Sequence, residues 1–302
     1  MKARKTCFTL TIFFFIFLTV YGSTYILNAE KREILFKQIK PTNILLLGKD
    51  NVGNTTDTMM LVRFTPDTNN LFILSLPRDT RISHGSFSNI KLNEVFSNAE
   101  HYQYDDPEGE VRDAVSELLD VKVDYSFLFS TDAFVKTIDI LGGIEDFYVP
   151  TKMYYYDPDQ DLDINLYEGK QFIDGKTAEQ LMRFRQYSDG HVDEYYDGGD
   201  LGRIDGQQRL LTALIEQKVN ASVLSKVNTF AAQILPDIRT NMPRAETLRL
   251  ISSVSPTDFS FENNVKFKTL PGEPQYINGG SYFIINNEET AKIVNKNLKV
   301  DE

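Results

Sequence analysis

The apolar segment from Cys7 to Leu27 is the feature that most constrains what this chain can form. It carries no charge and has the length that the hydrocarbon core of a bilayer requires. Because Lys2, Arg4 and Lys5 precede it, the positive-inside rule predicts a cytoplasmic N-terminus and an exterior location for everything that follows. A cleaved signal peptide is the alternative, but the apolar stretch is long and no clear small-x-small cleavage site precedes "NAEKREILF". We therefore expect a single-pass signal anchor in the cell membrane.

The anchor divides the chain into four predicted parts. These are a cytoplasmic N-terminus (1–6), the transmembrane segment (7–27), a polar stalk (28–41) and an extracellular domain (42–300). Without the three cations that precede residue 28, the formal net charge of −11 becomes −14 for the remainder. Nucleic-acid binding depends on surplus Lys and Arg, so this acidity argues against DNA or RNA as a partner. The single cysteine, Cys7, lies before the exterior domain, so neither a disulfide nor a thiol is expected there.

Two carboxylates and an arginine are expected at one end of a predicted sheet. The run "NILLLGKD" predicts a strand that is buried on both faces and has Asp50 at its tip. The following "DTMMLVRFTPDTNNLFILSLPRDT" predicts a hairpin, since Pro66 and Asp67 favour a turn between two strand-like runs. Folding about that turn places Asp57 opposite Arg78, provided that the register does not slip. A structural ion pair and a turn-capping Asp50 would explain the same pattern without a function.

Strand patterns alternate with helical ones through the rest of the chain. Val111, Val115 and Leu119 predict one helix, and Phe134 with Ile138 predicts a second that "LGG" ends. This alternation indicates an α/β or mixed α+β fold.

Two further segments carry arginines near helix ends. In "KTAEQLMRFRQY" a helix is expected up to the arginines, and Arg183 and Arg185 would point to the same side if the chain continues as a strand. Surface arginines at a helix C-terminus are the alternative. In "DLGRIDGQQR" the residues Asp200, Arg203 and Gln207 share one stripe of a helix that begins near Leu201. An arginine in the first turn opposes the helix dipole, so the stripe is expected to face an anion, while N-capping is the alternative role of Asp200.

These segments together resemble, in order, the sequence blocks of the LytR-CpsA-Psr family. The blocks are "NILLLGKD", "TDTMMLVRF", "LFILSLPRDT", "KLNEVF", "DILGGIEDFYVP", "INLYEGKQFIDGKTAEQLMRFR", "DLGRIDGQQRLLTALI" and "TLPGEPQYINGGSYFI". The resemblance covers about residues 42–290. It implies a membrane-anchored exterior ligase that moves a glycopolymer, such as teichoic acid or capsule, from an undecaprenyl pyrophosphate carrier to peptidoglycan. It also implies an α/β/α sandwich with a mixed central sheet and a hydrophobic tunnel for the lipid.

The resemblance also implies a role for each candidate residue. Asp50 and Asp57 would hold Mg²⁺, with Mn²⁺ as an alternative, and Mg²⁺ accepts a few carboxylate oxygens together with substrate phosphates. The pyrophosphate would be bound by the following cationic and amide side chains: Arg78, Arg183, Arg185, Arg203 and Gln207. Asp200 would orient the arginines. Arg78, Arg203, Asp200 and Asp79 are the expected catalytic residues, although neighbouring positive charge weakens Asp79 and Asp200 as general bases.

One departure from the family pattern bears on activity. Two residues before Asp57 the family usually has an arginine, and this chain has Thr55. Losing one donor of a preorganised site could cost about 2.7 to 4 kcal/mol. Thr55 suggests one alternative to the ligase, a noncatalytic protein that binds lipid or wall polymer. A second alternative is a polyprenyl pyrophosphate hydrolase, which would use water when no glycan acceptor is bound. The acidic loop 186–199 is a solvated surface or a segment that selects acceptors.

Overall fold

The computed structural model describes residues 40–49, 55–158, 162–184, 199–218, 237–243 and 261–299, with residues 229, 233–234, 246 and 250 between them. The chain divides into two compact units. We call residues 31–130 together with 238–302 the sheet unit, and residues 131–237 the inserted unit.

The sheet unit is built on six strands. They are β1 (Thr42–Lys49), β2 (Thr56–Thr65), β3 (Asn70–Ser75), β6 (Tyr125–Ser130), β11 (Ile238–Thr240) and β12 (Val265–Thr269), in the order β11-β6-β1-β2-β3-β12. The pairs β1–β6 and β3–β12 are parallel, whereas β1–β2, β2–β3 and β6–β11 are antiparallel. The expected mixed central sheet is therefore confirmed, and the lipid tunnel stays a prediction.

Strand β1 lies inside this sheet and is buried on both faces, as its unbroken apolar run predicts. Ile44 to Leu47 have no exposed surface. The alternate residues Leu45 and Leu47 belong to a core that also includes residues of three helices. These helices are α1 (Glu94–His101), α2 (Pro107–Leu119) and α7 (Asn287–Asn297). The predicted helix with Val111, Val115 and Leu119 on its inner face is confirmed as α2.

The described part of the sheet unit also has two short ribbons. β4 (Arg81–His84) pairs with β5 (Phe87–Lys91), and β13 (Gly272–Ile277) pairs with β14 (Gly280–Ile285). A single-turn helix α6 (Phe261–Asn264) precedes β12, and a 3₁₀ turn (Pro66–Thr68) joins β2 to β3.

The described part of the inserted unit combines three helices with two antiparallel ribbons. Its helices are α3 (Thr131–Leu141), α4 (Gly175–Arg183) and α5 (Gly199–Lys218). One ribbon pairs β7 (Ile144–Val149) with β10 (Gly169–Ile173), and the other pairs β8 (Met153–Asp157) with β9 (Leu162–Leu166). Helix α3 ends at the predicted glycines, since Gly142 and Gly143 both have positive φ angles, 88° and 65°.

Among the described residues no helix is both long and apolar enough to cross a membrane. The predicted span from Cys7 to Leu27 lies outside the described residues.

Candidate functional site

The first candidate residues lie where β3 leaves the central sheet. After Ser75 the chain turns, and the Thr80 amide and hydroxyl both donate to the Pro77 carbonyl, at 3.1 and 2.6 Å. Arg78 and Asp79 occupy the two central positions of this turn. The Asn93 amide donates to the Arg78 carbonyl at 3.1 Å, which fixes the turn to the segment after β5. Asp79 is therefore a turn residue.

The hairpin register predicted from the sequence is confirmed. Thr65 pairs with Asn70 and Met60 with Ser75, and continuing this register sets Asp57 opposite Arg78. Arg78 Nη1 donates to Asp57 Oδ1 at 2.6 Å. Because both side chains are partly buried, this ion pair is shielded more from solvent than a surface pair.

Four ionisable side chains follow one another beside this turn, and we call them the ion row: Asp57, Arg78, Asp79 and Lys91. Arg78 Nε lies 4.0 Å from Asp79 Oδ2, and Lys91 Nζ lies 2.7 Å from Asp79 Oδ1. Lys91 also lies 5.8 Å from the centre of the Tyr282 ring. The row alternates in sign, so the carboxylates hold the two cations in place while balancing their charge.

Sequence reasoning did not single out Lys91. It reaches Asp79 because the β4–β5 ribbon folds back at Gly85 and sets Lys91 opposite Arg81. In the sequence, Gly85 between two short polar strands was the only signal for the turn that joins β4 to β5. The alternation of apolar and polar residues in β4 and β5 is weak, so the pairing register of this ribbon could not be predicted from the sequence.

Thr55, the departure from the family pattern, contacts the ion row. Its hydroxyl donates to Asp57 Oδ1 at 3.3 Å. The same carboxylate oxygen therefore accepts hydrogen bonds from Thr55 and Arg78. A neutral hydroxyl stands where an arginine would place a third cation.

The predicted magnesium site is only partly within the described structure. Asp57 offers a partly buried carboxylate beside a guanidinium, and Mg²⁺ is commonly held by one or two carboxylates together with phosphate oxygens. The donor chemistry of Asp57 therefore fits this ion. The second predicted ligand, Asp50, lies outside the described residues. Over the described ranges, no group of three or more His, Cys, Asp or Glu side chains is arranged to hold a metal.

Arg183 lies at the end of α4 in the inserted unit. Asp174 caps the start of this helix by accepting from the Thr177 amide at 2.8 Å. Hydrogen bonds from the side chain and from the backbone of Thr177 lower the pKa of Asp174. Arg183 is the last helical residue and pairs with Glu179 one turn earlier, at 3.2 Å. Phe184 has an extended backbone, as predicted for the chain after the helix. Arg185 lies outside the described residues, so the expected alignment of the two arginines stays a prediction.

The stripe on α5 is buried. Arg203 is 2% exposed and Gln207 is 3% exposed. Gln207 Nε2 donates to the Met182 carbonyl at 3.2 Å, which ties α5 to the last turn of α4. A buried guanidinium is stable only where charge or hydrogen bonds compensate its desolvation. We therefore expect that other side chains cannot replace arginine at position 203 without a loss of stability.

The start of α5 differs from the expectation. The helix begins at Gly199, two residues before the expected start near Leu201, so Asp200 lies in its first turn rather than at the N-cap that was its alternative role. Glycine adopts many conformations, and the "DGGD" segment gave no firm signal for the boundary. The side chain of Asp200 is outside the description, and its orienting role stays a prediction.

The candidate residues therefore form two groups, which the structure describes separately. The ion row belongs to the sheet unit, and Arg183, Arg203 and Gln207 belong to the inserted unit. The ion row contains one guanidinium, that of Arg78, which pairs with Asp57. In the inserted unit Arg183 pairs with Glu179, and Arg203 is buried.

The chain matches the model of the LytR_cpsA_psr family over residues 16–299. Among named proteins it is similar to the polyisoprenyl-teichoic acid–peptidoglycan teichoic acid transferase TagU of Oceanobacillus iheyensis. The two are 24% identical over 269 residues, which cover 87% of this chain and 78% of the relative.

Solved structures share the fold. The crystal structure of B. subtilis TagV has a TM-score of 0.67 at 23% identity, covering 86% of this chain and 96% of that one. A structure of TagT bound to LIIa-WTA has a TM-score of 0.62 at 20% identity, covering 86% of this chain and 92% of that one.

Proposed function

Because the chain belongs to the LytR_cpsA_psr family, we propose that it transfers a glycopolymer from an undecaprenyl pyrophosphate carrier to peptidoglycan. An acceptor hydroxyl would attack the phosphorus next to the polymer. A phosphodiester to the acceptor forms, the pyrophosphate P–O bond breaks, and undecaprenyl monophosphate leaves. The hydroxyl proton passes to a base or to solvent. Similarity to a named teichoic acid transferase supports the transfer, while the lipid donor and the metal are further parts of the proposal.

The observation that carries the proposal is the fixed position of Arg78. Phosphoryl transfer needs positioning and charge stabilisation more than a covalent nucleophile. Asp57 holds Arg78 at 2.6 Å, so the guanidinium is oriented before a ligand binds. Its planar fork suits two phosphate oxygens, a contact that an ammonium cannot reproduce.

The residues of the inserted unit have corresponding roles in the proposal. Arg203, Arg183 and Arg185 would bind phosphate oxygens, and Gln207 would support α5 through its contact with the Met182 carbonyl. Asp200 would orient the arginines. Asp79, held by Lys91 at 2.7 Å, is the described carboxylate proposed to accept the hydroxyl proton.

Asp57 and Asp50 would hold Mg²⁺, which supplies charge neutralisation at the phosphates when it is bound. A test without turnover is available. Mn²⁺ binding to the full-length chain is followed by electron paramagnetic resonance, with Asp57→Asn compared with the control Asp67→Asn in the distant β2–β3 turn. We expect only Asp57→Asn to weaken binding, and equal binding by both variants would argue against this ligand.

The proposed function is tested by paired lysine substitutions. The full-length chain in detergent is mixed with Mg²⁺, an undecaprenyl pyrophosphate-linked saccharide and uncrosslinked peptidoglycan strands. Arg203→Lys is compared with Arg209→Lys on the same helix, where Arg209 donates to the Tyr148 carbonyl at 3.0 Å. Arg78→Lys is compared with Arg81→Lys, where Arg81 donates to Asn89 at 2.7 Å.

The first substitution of each pair should lower the rate of attachment about 100- to 1000-fold, as expected for a lost donor of a preorganised site. The controls should retain attachment. Release of lipid monophosphate without attachment would indicate the hydrolase. Lipid binding with no turnover would indicate a binding protein.

Thr55 is the observation that favours this second candidate, a protein that binds the lipid-linked polymer without transferring it. In the unmodified chain the Asp57 carboxylate accepts from the Thr55 hydroxyl at 3.3 Å. The substitution Thr55→Arg would place a guanidinium beside this carboxylate instead. A large gain in attachment would show that the rest of the site is catalytic. No gain in a variant that still binds the lipid would support the binding protein.

A further inference from the structure

The β8–β9 ribbon of the inserted unit has one buried face and one exposed face. On the inner face Met153 is 1% exposed and Ile164 has no exposed surface. On the outer face Tyr154 is 47% exposed and Tyr156 is 56% exposed. Large aromatic side chains are costly to leave in water, and two of them at alternate positions of one strand indicate a surface that binds something.

The pairing of the ribbon places a polar side chain beside each ring. Tyr154 is opposite Asn165, and Tyr156 is opposite Asp163. Directly opposed residues of an antiparallel pair have their side chains about 5 Å apart on one face, and alternate residues of a strand lie about 7 Å apart. We call these four residues the tyrosine face.

The tyrosine face is held in place from behind. The backbone N–H of Asn165 donates to Gln180 Oε1 of α4 at 3.0 Å. The Tyr155 hydroxyl, on the inner side of β8, donates to Asp157 at 3.2 Å. A tyrosine has few rotatable bonds, so a fixed strand presents its ring at little cost in conformational entropy.

The charge of this surface selects among ligands. Asp163 contributes one negative charge, and the exposed Lys152 just before β8 contributes one positive charge. Anionic lipids and phosphate-rich polymers are bound by clusters of Lys and Arg, and the tyrosine face carries none within the ribbon. An uncharged sugar chain fits better, because its C–H surfaces can lie on the rings and its hydroxyls can donate to Asn165 and Asp163.

We propose that the tyrosine face binds an uncharged stretch of a glycan strand and thereby holds the acceptor. The inference rests on the proposed function only in that the acceptor of the transfer would be this glycan. The contact adds affinity for the glycan without taking part in the reaction.

The test measures cosedimentation of the full-length chain with peptidoglycan from which attached polymers have been removed, in competition with soluble N-acetylglucosamine oligomers. The variant Tyr154→Ala/Tyr156→Ala is compared with Tyr276→Ala. Tyr276 is 79% exposed on β13 of the sheet unit and so controls for the loss of an exposed tyrosine. The variant Tyr154→Phe/Tyr156→Phe keeps the rings, and thermal melting establishes that all variants fold.

We expect the double alanine variant to bind glycan about tenfold more weakly, while the phenylalanine variant stays within about twofold of the unmodified chain. Unchanged glycan binding by the alanine variant overturns the inference, as does an equal loss in Tyr276→Ala. Loss of binding to anionic phospholipid vesicles with retained glycan binding overturns it in favour of a membrane contact.

The outcome is separate from that of the proposed function. Arg203→Lys should lose attachment and keep glycan binding. Glycan binding that depends on Tyr154 and Tyr156 in a chain that transfers nothing would refute the proposed function and support the surface. Normal transfer by the unmodified chain, together with unchanged glycan binding in the double alanine variant, would support the proposed function and refute the role of the tyrosine face.

Discussion

A buried histidine in the sheet unit makes the stability of this protein depend on pH. His84, at the end of β4, is 8% exposed and lies between two glutamates of α2. Its Nδ1 is 2.9 Å from Glu117 Oε2, and its Nε2 is 3.2 Å from Glu110 Oε2. Both ring nitrogens can donate to carboxylates only when the imidazole is protonated.

The direction of the effect follows from the pKa of His84. Burial of the ring lowers this pKa, but the hydrogen bonds and negative charges of Glu117 and Glu110 raise it, and the net pKa is above the ordinary value of 6.5. The folded state therefore binds the proton more tightly than the unfolded state. The stabilisation is fully present below about pH 6.5 and is lost as the pH rises through the higher pKa of the folded protein.

The size of the effect depends on the exposure of the two glutamates. A hydrogen bond to a charged partner contributes about 1.5 to 3 kcal/mol when buried, and an exposed ion pair contributes about 0.2 to 1 kcal/mol. Glu117 is 63% exposed and Glu110 is 33% exposed, so the contribution of the two contacts should lie between the value for an exposed pair and the value for a buried hydrogen bond. We expect His84→Gln to lower the free energy of unfolding at low pH by about 1 to 2 kcal/mol, which corresponds to a fall of about 2 to 8 °C in melting temperature.

The assay compares thermal melting of the unmodified chain, His84→Gln and His101→Gln between pH 5.5 and pH 9. His101 is exposed at the end of α1 and serves as the matched control. The difference in melting temperature between the unmodified chain and His84→Gln should be largest at low pH and shrink as the pH rises. A difference that stays constant with pH, or one of equal size in His101→Gln, would refute the role assigned to His84.

Three further predictions concern the folding of each unit and are measured as free energies of unfolding in denaturant. Asp106→Ala removes the cap of α2, whose carboxylate accepts from the Gly109 amide at 2.9 Å, and should cost about 1 kcal/mol; an unchanged midpoint would contradict the capping role. Leu46→Ala empties a fully buried position of β1 and should cost about 2 to 5 kcal/mol, whereas a cost below about 1 kcal/mol would mean that the site collapses around the smaller side chain. Gly143→Ala places a Cβ 2.7 Å from the Ile173 carbonyl at a φ of +65° and should cost more than about 1 kcal/mol, and a neutral effect would contradict that crowding.

The part of the site that could be predicted from the sequence is local. Asp57 and Arg78 are equally far from the centre of one turn, so the register of a single hairpin fixes their contact. Arg203 and Gln207 are four residues apart on one helix, so they share a stripe wherever that helix lies.

The remainder depends on long-range packing. Lys91 reaches Asp79 through a second ribbon whose pattern is weak, and Gln207 donates to a carbonyl 25 positions away. The nearly complete burial of Arg203 and Gln207 was not foreseen, because polar residues on a helix give no sign of being enclosed. The sequence carries no signal for the division into two compact units, since residues 131–237 continue the same alternation of strands and helices.

The way in which the inserted unit interrupts the sheet unit also determines when the larger core can form during synthesis. The core that contains Leu45 also contains Val294 and Leu298, and Arg63 Nη1 donates to the Leu298 carbonyl at 2.7 Å. Closing such long loops is entropically unfavourable and slow. A nascent chain that has emerged only as far as residue 237 therefore has the strands β1, β2 and β3 but lacks β12, which pairs with β3, and the helix α7, which supplies Val294 to the core. We expect chaperone binding during this interval, and the inserted unit is free to fold before the sheet unit that precedes it in the sequence.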